Sequence, residues 1–305
     1  MTSSPDLASL YQLLAKESRP ILPSGEQRAI LGCGYVGKAV AKAWRHQGHE
    51  LWGTTTRHER LNELAEIVDS PVVCDFTDSS TSLEFTSNLD GILASFAPSK
   101  NSQVDISQYR ETFLGGLELL IEALKRRTSE SPLHLVHLSS CGVYGNRQGA
   151  LTNETDAIDA RHPVNQVLAR AEEMIQSVRS EKINVCVLRL GGIYGPGRDI
   201  PGMLLSAAGG IVQRNGQNVP CWIHLDDIVR GVNFAFEHNL NEVYNLVDDT
   251  QYTGQELTDR LCEQAGLPLA KWLTVDTSDR VLNARVSNAK LKQLGFTLTQ
   301  PSMVD

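Results

Sequence analysis

Short apolar runs alternate with longer amphipathic segments along this chain, and that alternation constrains the fold more than any other feature. The predicted strands cover residues 28–31, 49–55, 71–74, 91–95, 133–138, 184–190 and 242–247. The predicted helices cover residues 36–47, 58–67, 106–126, 162–180, 226–238 and 254–265. Strands that alternate with helices pair in parallel, so the sequence predicts an α/β protein with a doubly wound parallel sheet.

The first predicted strand runs into a turn whose glycines have the spacing of a dinucleotide-binding motif. In "RAILGCGYVGKAVAKAW", Gly32, Gly34 and Gly37 follow the pattern GxGxxG, with Tyr35 and Val36 inside it. The first glycine would allow the tight turn, the second the approach of a diphosphate, and the third close packing of helix on strand. A glycine-rich turn without a ligand is the alternative. The position of the motif in the first βαβ unit favours cofactor binding.

The end of the second predicted strand indicates which dinucleotide is preferred. NAD-binding proteins usually place a carboxylate there for the ribose 2′-hydroxyl, whereas this chain has "GTTTRHER" at 53–60. Thr55 and Arg57 could hold a 2′-phosphate, which favours NADP(H) over NAD(H), unless Arg57 is only a solvated residue at a helix start. Asp75 and Phe76 are expected at the adenine edge, although Asp75 could equally cap a helix. The remaining expected cofactor contacts follow the fourth strand and are Phe96 and Ala97.

Charge and cysteine content argue against several other classes of protein. With a formal charge of −8 the chain lacks the clustered basic surface that nucleic-acid binding needs. Its apolar runs are shorter than a membrane span, and its six cysteines show no CxxC pair. We therefore expect a soluble, cytoplasmic protein with reduced thiols and a small-molecule substrate. Residues 1–27 lack a signal-peptide pattern and are expected to form an N-terminal extension with a short helix.

No metal site is predicted, although "HLDDIV" at 224–229 places a histidine near two carboxylates. Asp226 and Asp227 are adjacent and would point in diverging directions, which does not suit a metal ion. We expect both aspartates to cap the helix that follows, and His224 to end a strand.

Six segments in a fixed order carry a resemblance to a known family. They are the glycine motif, "SSCGVYG" (139–145), "NET" (153–155), "RLGGIYGPGR" (189–198), "WIHLDDIVRG" (222–231) and "VYNLVDD" (243–249). Together they resemble the extended branch of the short-chain dehydrogenase/reductase superfamily, the epimerase/dehydratase group that acts mainly on nucleotide sugars. The resemblance extends over nearly all of residues 28–300.

The resemblance implies a Rossmann-like fold in which the sheet binds the dinucleotide and a small C-terminal lobe holds the substrate. Accordingly, residues 28–190 would form the Rossmann domain. Residues 191–305 would form the substrate lobe, interleaved with the last Rossmann elements at about 224–249. Within the lobe, the stretch 195–223 is rich in Gly and Pro and lacks periodicity, so it is not expected to form a regular strand or a long helix.

The resemblance also assigns candidate residues in the cleft. Ser140 occupies the position of the family's catalytic Ser or Thr. Tyr194 and Arg198 lie on a loop that faces the substrate in the family, where Arg198 could bind a phosphate or a carboxylate. A surface arginine is the alternative.

The helix at 162–180 departs from the family. Family enzymes carry Tyr-x-x-x-Lys at its start, whereas alignment on His162-Pro163 puts Val164 and Leu168 at the two positions. Neither side chain can carry a proton. Tyr144 is the nearest remaining phenol and could take over acid–base work, or it could pack beneath the substrate lobe. The chain thus resembles an atypical subgroup that lacks the YxxxK pair.

Two functions remain open at this point. The first is an NADP(H)-dependent, epimerase/dehydratase-like enzyme acting on a small carbonyl or nucleotide-sugar-like substrate. The second is a catalytically inactive dinucleotide-binding sensor or assembly protein that keeps the glycine motif. Because family members often pair through the helices at 106–126 and 162–180, a homodimer is also expected.

Overall fold

The computed structural model describes residues 25–76, 78, 81–96, 106–273 and 282–304, and it contains the seven strands and six helices that the apolar pattern predicts from residue 28 onward. The strands are β1 (Gln27–Leu31), β2 (Glu50–Thr55), β3 (Ser70–Val73), β4 (Gly91–Ala94), β5 (Leu133–Ser140), β6 (Asn146–Thr152), β7 (Ile183–Leu190), β8 (Gly192–Tyr194), β9 (Ile211–Val212), β10 (Trp222–His224), β11 (Val243–Leu246), β12 (Lys271–Trp272) and β13 (Asn283–Val286). The helices are α1 (Tyr35–His46), α2 (Leu61–Ala65), α3 (Ile106–Arg110), α4 (Gly116–Lys125), α5 (Pro163–Gln176), α6 (Ile200–Leu205), α7 (Leu225–Glu237), α8 (Gly254–Gln264) and α9 (Ala289–Gln293). The expected N-terminal helix and Ala97 lie outside the described residues.

Seven parallel strands form the central sheet in the order β11-β7-β5-β4-β1-β2-β3. The chain moves outward from β1 to β3 and then crosses back to place β4 beside β1, where Arg28 is in register with Gly91. The strand order therefore reverses between β1 and β4. In open α/β sheets the crevice at the carboxyl ends of such strands is where ligands bind. The prediction of a doubly wound, Rossmann-like sheet is confirmed.

Helices cover both faces of the sheet because successive residues of each central strand point to opposite sides. On β5, Leu135 packs against α4 and α5, whereas Val136 packs toward α1 and α7. On the second face the indole Nε1 of Trp44 in α1 donates to Asn233 Oδ1 in α7 at 2.8 Å. These two cores fix the carboxyl edge of the sheet, and with it the loops that follow each strand.

Three further pairs of short parallel strands lie outside the central sheet: β8 with β10, β9 with β12, and β6 with β13. Residues 195–223 contain only the short helix α6, the two residues of β9 and most of β10. The last described segment returns to earlier parts of the chain, so that Arg285 is in register with Leu151. The domain boundary at residue 190 stays a prediction.

The start of α7 corrects one expectation. Its N-cap is His224, whose Nδ1 accepts a hydrogen bond from the Asp226 N–H at 3.2 Å. Asp227 does not cap its own helix, since its carboxylate accepts the N–H groups of Thr299 at 2.7 Å and Gln300 at 2.8 Å. The expectation was wrong because it considered only local partners.

No helix among the described residues combines the length and apolar character needed to cross a membrane.

Candidate functional site

The glycine turn between β1 and α1 has the shape that its spacing predicts. Gly32 has φ +94°, and a Cβ on it would lie 2.7 Å from Phe96 Cα. A Cβ on Gly37 would lie 2.5 Å from the carbonyl oxygen of Gly32, so this glycine lets the helix approach the strand. Around Gly34, by contrast, a Cβ would meet no described atom within 4 Å. Two glycines are thus needed by the fold, and the third borders open space.

The N-terminus of α1 is not capped by a side chain. Gly34 is its N-cap, and α1 carries no acidic residue in its first turn. Tyr35, Val36 and Gly37 form that first turn, whose N–H groups have no partner within a helix. Uncapped N–H groups and the positive end of the helix dipole form a site for a phosphate group. The turn therefore fits the diphosphate of a dinucleotide.

The end of β2 supports the glycine turn and borders the expected adenosine ribose site. The hydroxyl oxygen of Thr54, a buried residue, accepts the Gly32 N–H at 2.8 Å. The neighbouring Thr55 is only 6% exposed, and its hydroxyl oxygen accepts the Arg57 N–H at 3.3 Å. The side chain of Arg57 is exposed. Arg57 is therefore accessible to a ligand, while both threonines are turned inward.

Sequence reasoning missed a basic group next to this turn. Arg60 reaches the carbonyl oxygen of Cys33 from its Nη2 at 3.4 Å. Both Arg60 and Lys38 form ion pairs with the exposed carboxylate of Glu63. Arg60 stands in the same "TTTRHER" stretch as Arg57, but nothing in that stretch shows that it folds back onto the glycine turn.

The residues expected near the adenine differ in exposure. Asp75 is exposed just after β3. The rings of Phe76 and Phe96 are 5% and 4% exposed and lie 4.9 Å apart in the core beneath α4. Each ring therefore supports the cleft from below and offers little surface to a ligand. The cofactor contacts of these three residues stay a prediction.

Ser140 ends β5 at the carboxyl edge of the sheet and is half-buried. Its hydroxyl oxygen accepts the Gly142 N–H at 3.1 Å and caps the short turn that follows. A serine hydroxyl that accepts one hydrogen bond still has its own proton to donate. Ser140 thus combines a structural cap with an available O–H.

Tyr144 lies in the interior. It is 0% exposed, donates from its hydroxyl to Asn245 Oδ1 at 2.7 Å and accepts from Arg189 Nη1 at 2.8 Å. Burial raises the pKa of its phenol, and the nearby Arg189 guanidinium offsets only part of that effect. This placement does not favour Tyr144 as a proton donor, and it matches the packing alternative.

A buried ion pair that sequence reasoning missed lies beside Tyr144. Arg189 on β7 forms a two-pronged contact with Glu172 on α5, with Nη2 to Oε2 at 2.7 Å and Nε to Oε1 at 3.0 Å. Ser139 donates to the same carboxylate at 2.6 Å. The side chains of the pair are 5% and 3% exposed. The helix α5 is thus held to the sheet by a charge pair one turn beyond Leu168.

Val164 and Leu168, which were expected at the family's Tyr and Lys positions, are core residues. Both belong to the same apolar cluster as Tyr144, with exposures of 9% and 3%. Together with Val167, Ala171 and Ile175 they form the buried stripe of α5. The absence of the Tyr and Lys pair stays a prediction, and the structure shows that both side chains serve packing.

Arg198 lies over the glycine motif. Its guanidinium carbon is 4.3 Å from the ring centroid of Tyr35, and the Tyr35 hydroxyl donates to the carbonyl oxygen of Pro196 at 2.8 Å. Tyr194 is 6% exposed and packs edge-on against His224 at 5.1 Å. The two residues expected to bind substrate therefore lie in different environments. Arg198 contacts the glycine motif, and Tyr194 is buried.

Asp248 follows β11 and is 1% exposed. Its Oδ1 accepts the Thr250 N–H at 3.0 Å, and its carboxyl group lies close enough to the Tyr194 hydroxyl to affect its pKa. Burial raises the pKa of Asp248 to about 7. In the described part of the chain, no group of three or more His, Cys, Asp or Glu side chains could hold a metal ion.

Comparison with known proteins gives a consistent result. The model of the NAD dependent epimerase/dehydratase family matches residues 29–246. Protein YeeZ from Escherichia coli (strain K12) is 25% identical over 232 residues, which cover 72% of this chain and 76% of that protein.

Solved structures with a similar fold include a functionally unknown conserved protein from Silicibacter pomeroyi, with TM-score 0.71 and 24% identity over 91% of this chain and 95% of that one. A structure of DesIV, a dTDP-glucose 4,6-dehydratase from Streptomyces venezuelae with NAD bound, aligns with TM-score 0.72 and 21% identity over 91% of this chain and 93% of that one.

Proposed function

The chain belongs to the NAD dependent epimerase/dehydratase family, and from that premise we propose that it binds NADP(H) and uses it in redox chemistry on a small carbonyl or nucleotide-sugar-like substrate. The observation that carries this proposal is the uncapped N-terminus of α1 beside the open space at Gly34. A turn built only for folding would need Gly32 and Gly37 but would have no use for this opening.

The preference for NADP(H) rests on the end of β2. No carboxylate stands in "GTTTR" to bind a ribose 2′-hydroxyl, and Arg57 is exposed there. Arg60 adds a second cation near the same turn. Arginine suits a phosphate because its planar fork donates two parallel hydrogen bonds.

The bound nicotinamide supplies hydride transfer, and the protein has to position the substrate and provide for the proton. Ser140 is the accessible candidate, since its O–H can donate to a substrate oxygen at the carboxyl edge of β5. With Val164 and Leu168 buried and Tyr144 interior, Ser140 polarises the substrate oxygen and water delivers the proton. Loss of a positioned general acid lowers the rate by about 10²–10⁴-fold, so slow turnover is expected.

The test is a titration of purified protein with NADPH and NADH by fluorescence, followed by a search for NADPH oxidation across carbonyl compounds and nucleotide sugars. Binding with turnover supports the proposal. Failure of the protein to bind either nucleotide would overturn it.

A substitution at Arg57 tests the preference for NADPH over NADH. Arg57→Ala should weaken NADPH binding while leaving NADH binding nearly unchanged, because only NADPH carries the 2′-phosphate. Arg45→Ala, which removes a cation from the far end of α1, is the matched control and should alter neither. Equal weakening of both nucleotides by Arg57→Ala would contradict a 2′-phosphate contact.

A second candidate function is favoured by one observation, the apolar burial of Val164 and Leu168. A protein with no proton relay could bind the dinucleotide as a sensor or assembly partner without turning it over. Tight NADPH binding without oxidation by any compound of the panel would favour this function. A homodimer through the α3–α4 region and α5 stays a prediction for either case.

A further inference from the structure

Arg198 was expected to bind substrate, yet it stands on the cofactor side of the cleft. Its guanidinium stacks on Tyr35 at 4.3 Å, and Tyr35 is the first residue of the helix whose N-terminus the diphosphate would approach. From these contacts we infer that Arg198 is a ligand of the cofactor's diphosphate. The inference rests on the proposed dinucleotide binding. It adds to that site a charged residue from the turn that follows β8, far from the glycine motif in sequence.

The backbone around Arg198 holds this side chain in place. Gly195 and Arg198 exchange hydrogen bonds of 2.8 and 3.1 Å across a tight turn formed by Pro196 and Gly197. Gly197 has φ +76°, which suits the third position of a type II turn after proline. On the other side, Asp199 caps α6 by accepting the Gly202 N–H at 2.8 Å. Arg198 therefore projects from a defined turn.

The guanidinium lacks an acidic partner within the described part of the chain. No carboxylate there lies within 4 Å of its nitrogens, and none of its N–H groups forms a hydrogen bond to a described residue. Asp226 is near enough to raise the pKa of Tyr35. Its Oδ2 lies 3.6 Å from His224 Nδ1 and is not paired with Arg198. A half-buried arginine thus stacks on the first residue of α1 and has no ion-pair partner among the described residues. A diphosphate would supply that partner.

Substrate could supply such an anion as well, since nucleotide sugars also contain a diphosphate. The position of Tyr35 favours the cofactor. Tyr35 lies within the glycine motif, and its hydroxyl ties the Arg198 turn to that motif through Pro196. The turn thereby holds the Arg198 guanidinium against the ring of Tyr35, the first residue of the helix at whose N-terminus the motif places the cofactor.

The experiment compares Arg198→Gln with wild type for binding of ADP-ribose, which contains the diphosphate, and of AMP, which has a single phosphate. We expect Arg198→Gln to weaken ADP-ribose and NADPH by about 10- to 100-fold, as for loss of a charged hydrogen bond, and AMP by less than about threefold. Arg198→Lys should fall between, because it keeps the charge without the fork or the stacking. Arg214→Gln removes an exposed charge from the same lobe and should change neither ligand.

The outcomes separate the two proposals. Unchanged ADP-ribose binding in Arg198→Gln, with wild type binding normally, overturns the assignment of Arg198 and leaves the proposed function standing. Equal weakening of AMP and ADP-ribose also overturns it, because the effect would not depend on the diphosphate. If wild type binds neither ADP-ribose nor NADPH, the proposed function fails, and this inference fails with it. Thermal unfolding of each variant shows whether the fold is retained.

Discussion

Gly32 and Gly34 stand two residues apart and meet different physical demands. Gly32 has a positive φ and touches the backbone of Phe96, so its lack of a side chain serves the fold. Gly34 has a negative φ of −81° and borders open space. We therefore assign its lack of a side chain to binding, because it leaves room for the proposed dinucleotide.

Substitution by alanine should separate these two roles. Gly34→Ala should unfold like wild type but bind NADPH about tenfold or more weakly, the equivalent of about 1.4 kcal/mol, because the new methyl group occupies the approach of the diphosphate. Gly32→Ala should lower the free energy of unfolding by about 1–3 kcal/mol through backbone strain alone, with further loss from overlap with Phe96. Denaturant unfolding and NADPH titration measure both effects. Normal NADPH affinity in Gly34→Ala would contradict a diphosphate at this turn.

At the scale of elements, α5 is held to the sheet both by apolar packing and by a buried charge pair. Its apolar stripe places Val164 and Leu168 in the core, and Glu172 joins it to Arg189 on β7. Both carboxylate oxygens are engaged, so the pair is fully satisfied in a buried setting. Buried pairs of this kind cost much to break because the remaining charge has no solvent.

Glu172→Gln should therefore lower the free energy of unfolding by about 3–5 kcal/mol, leaving Arg189 charged and without its anion. The neighbouring Glu173 provides the control. Its pair with Arg170 is exposed, at 67% and 61% of the side chains, so Glu173→Gln should change stability by no more than about 1 kcal/mol. Urea unfolding of both variants measures the difference. Similar losses in the two would show that the buried pair does not stabilise α5 on the sheet.

The elements themselves could be predicted from sequence because their signal is local. Apolar runs mark the seven strands of the sheet. The pattern Thr-x-x-Glu in "TGQE" at 253–256 is likewise the local signature of a capping box, which the structure contains at the start of α8. What could not be predicted are contacts between side chains far apart in the chain. Thr54 supports Gly32 from 22 residues away, and Tyr35 reaches Pro196 across 161 residues. Periodicity and spacing carry no information about such pairs, so the glycine turn was predictable and the position of Arg198 was not.

At the scale of the whole molecule, the buried carboxyl group of Asp248 couples stability to pH. Burial raises its pKa to about 7, whereas an unfolded chain would give about 3.9. Between these values the folded state binds more protons than the unfolded state, so stability falls as pH rises from about 4 to 7 and is constant above that range.

Asp248→Asn should remove this contribution, since the amide oxygen can still accept the Thr250 N–H while no charge forms. Wild type should lose up to about 1.4 kcal/mol per pH unit in this window from Asp248, and the variant should lack that slope. Asp249→Asn, which removes a partly exposed carboxylate paired with Lys292, should keep most of the slope, because Asp249 is the smallest of the influences on the pKa of Asp248 and burial is the largest. Urea unfolding at pH 5, 6 and 7 measures the slopes. Equal slopes in wild type and Asp248→Asn would contradict the prediction.

The link between Asp227 and Thr299 has a consequence for synthesis of the chain. Asp227 is completely buried in the finished protein and depends on N–H groups 72 and 73 residues later. At about 5–20 residues per second, a ribosome needs roughly 4–14 s to add the segment that binds it. Throughout that interval the Asp227 carboxylate lacks both of these N–H donors and, among the described residues, has only Arg230, 3.7 Å away on the same helix, as an ion-pair partner. The hydrogen bonds that complete the burial of Asp227 can therefore form only after Thr299 and Gln300 have been added.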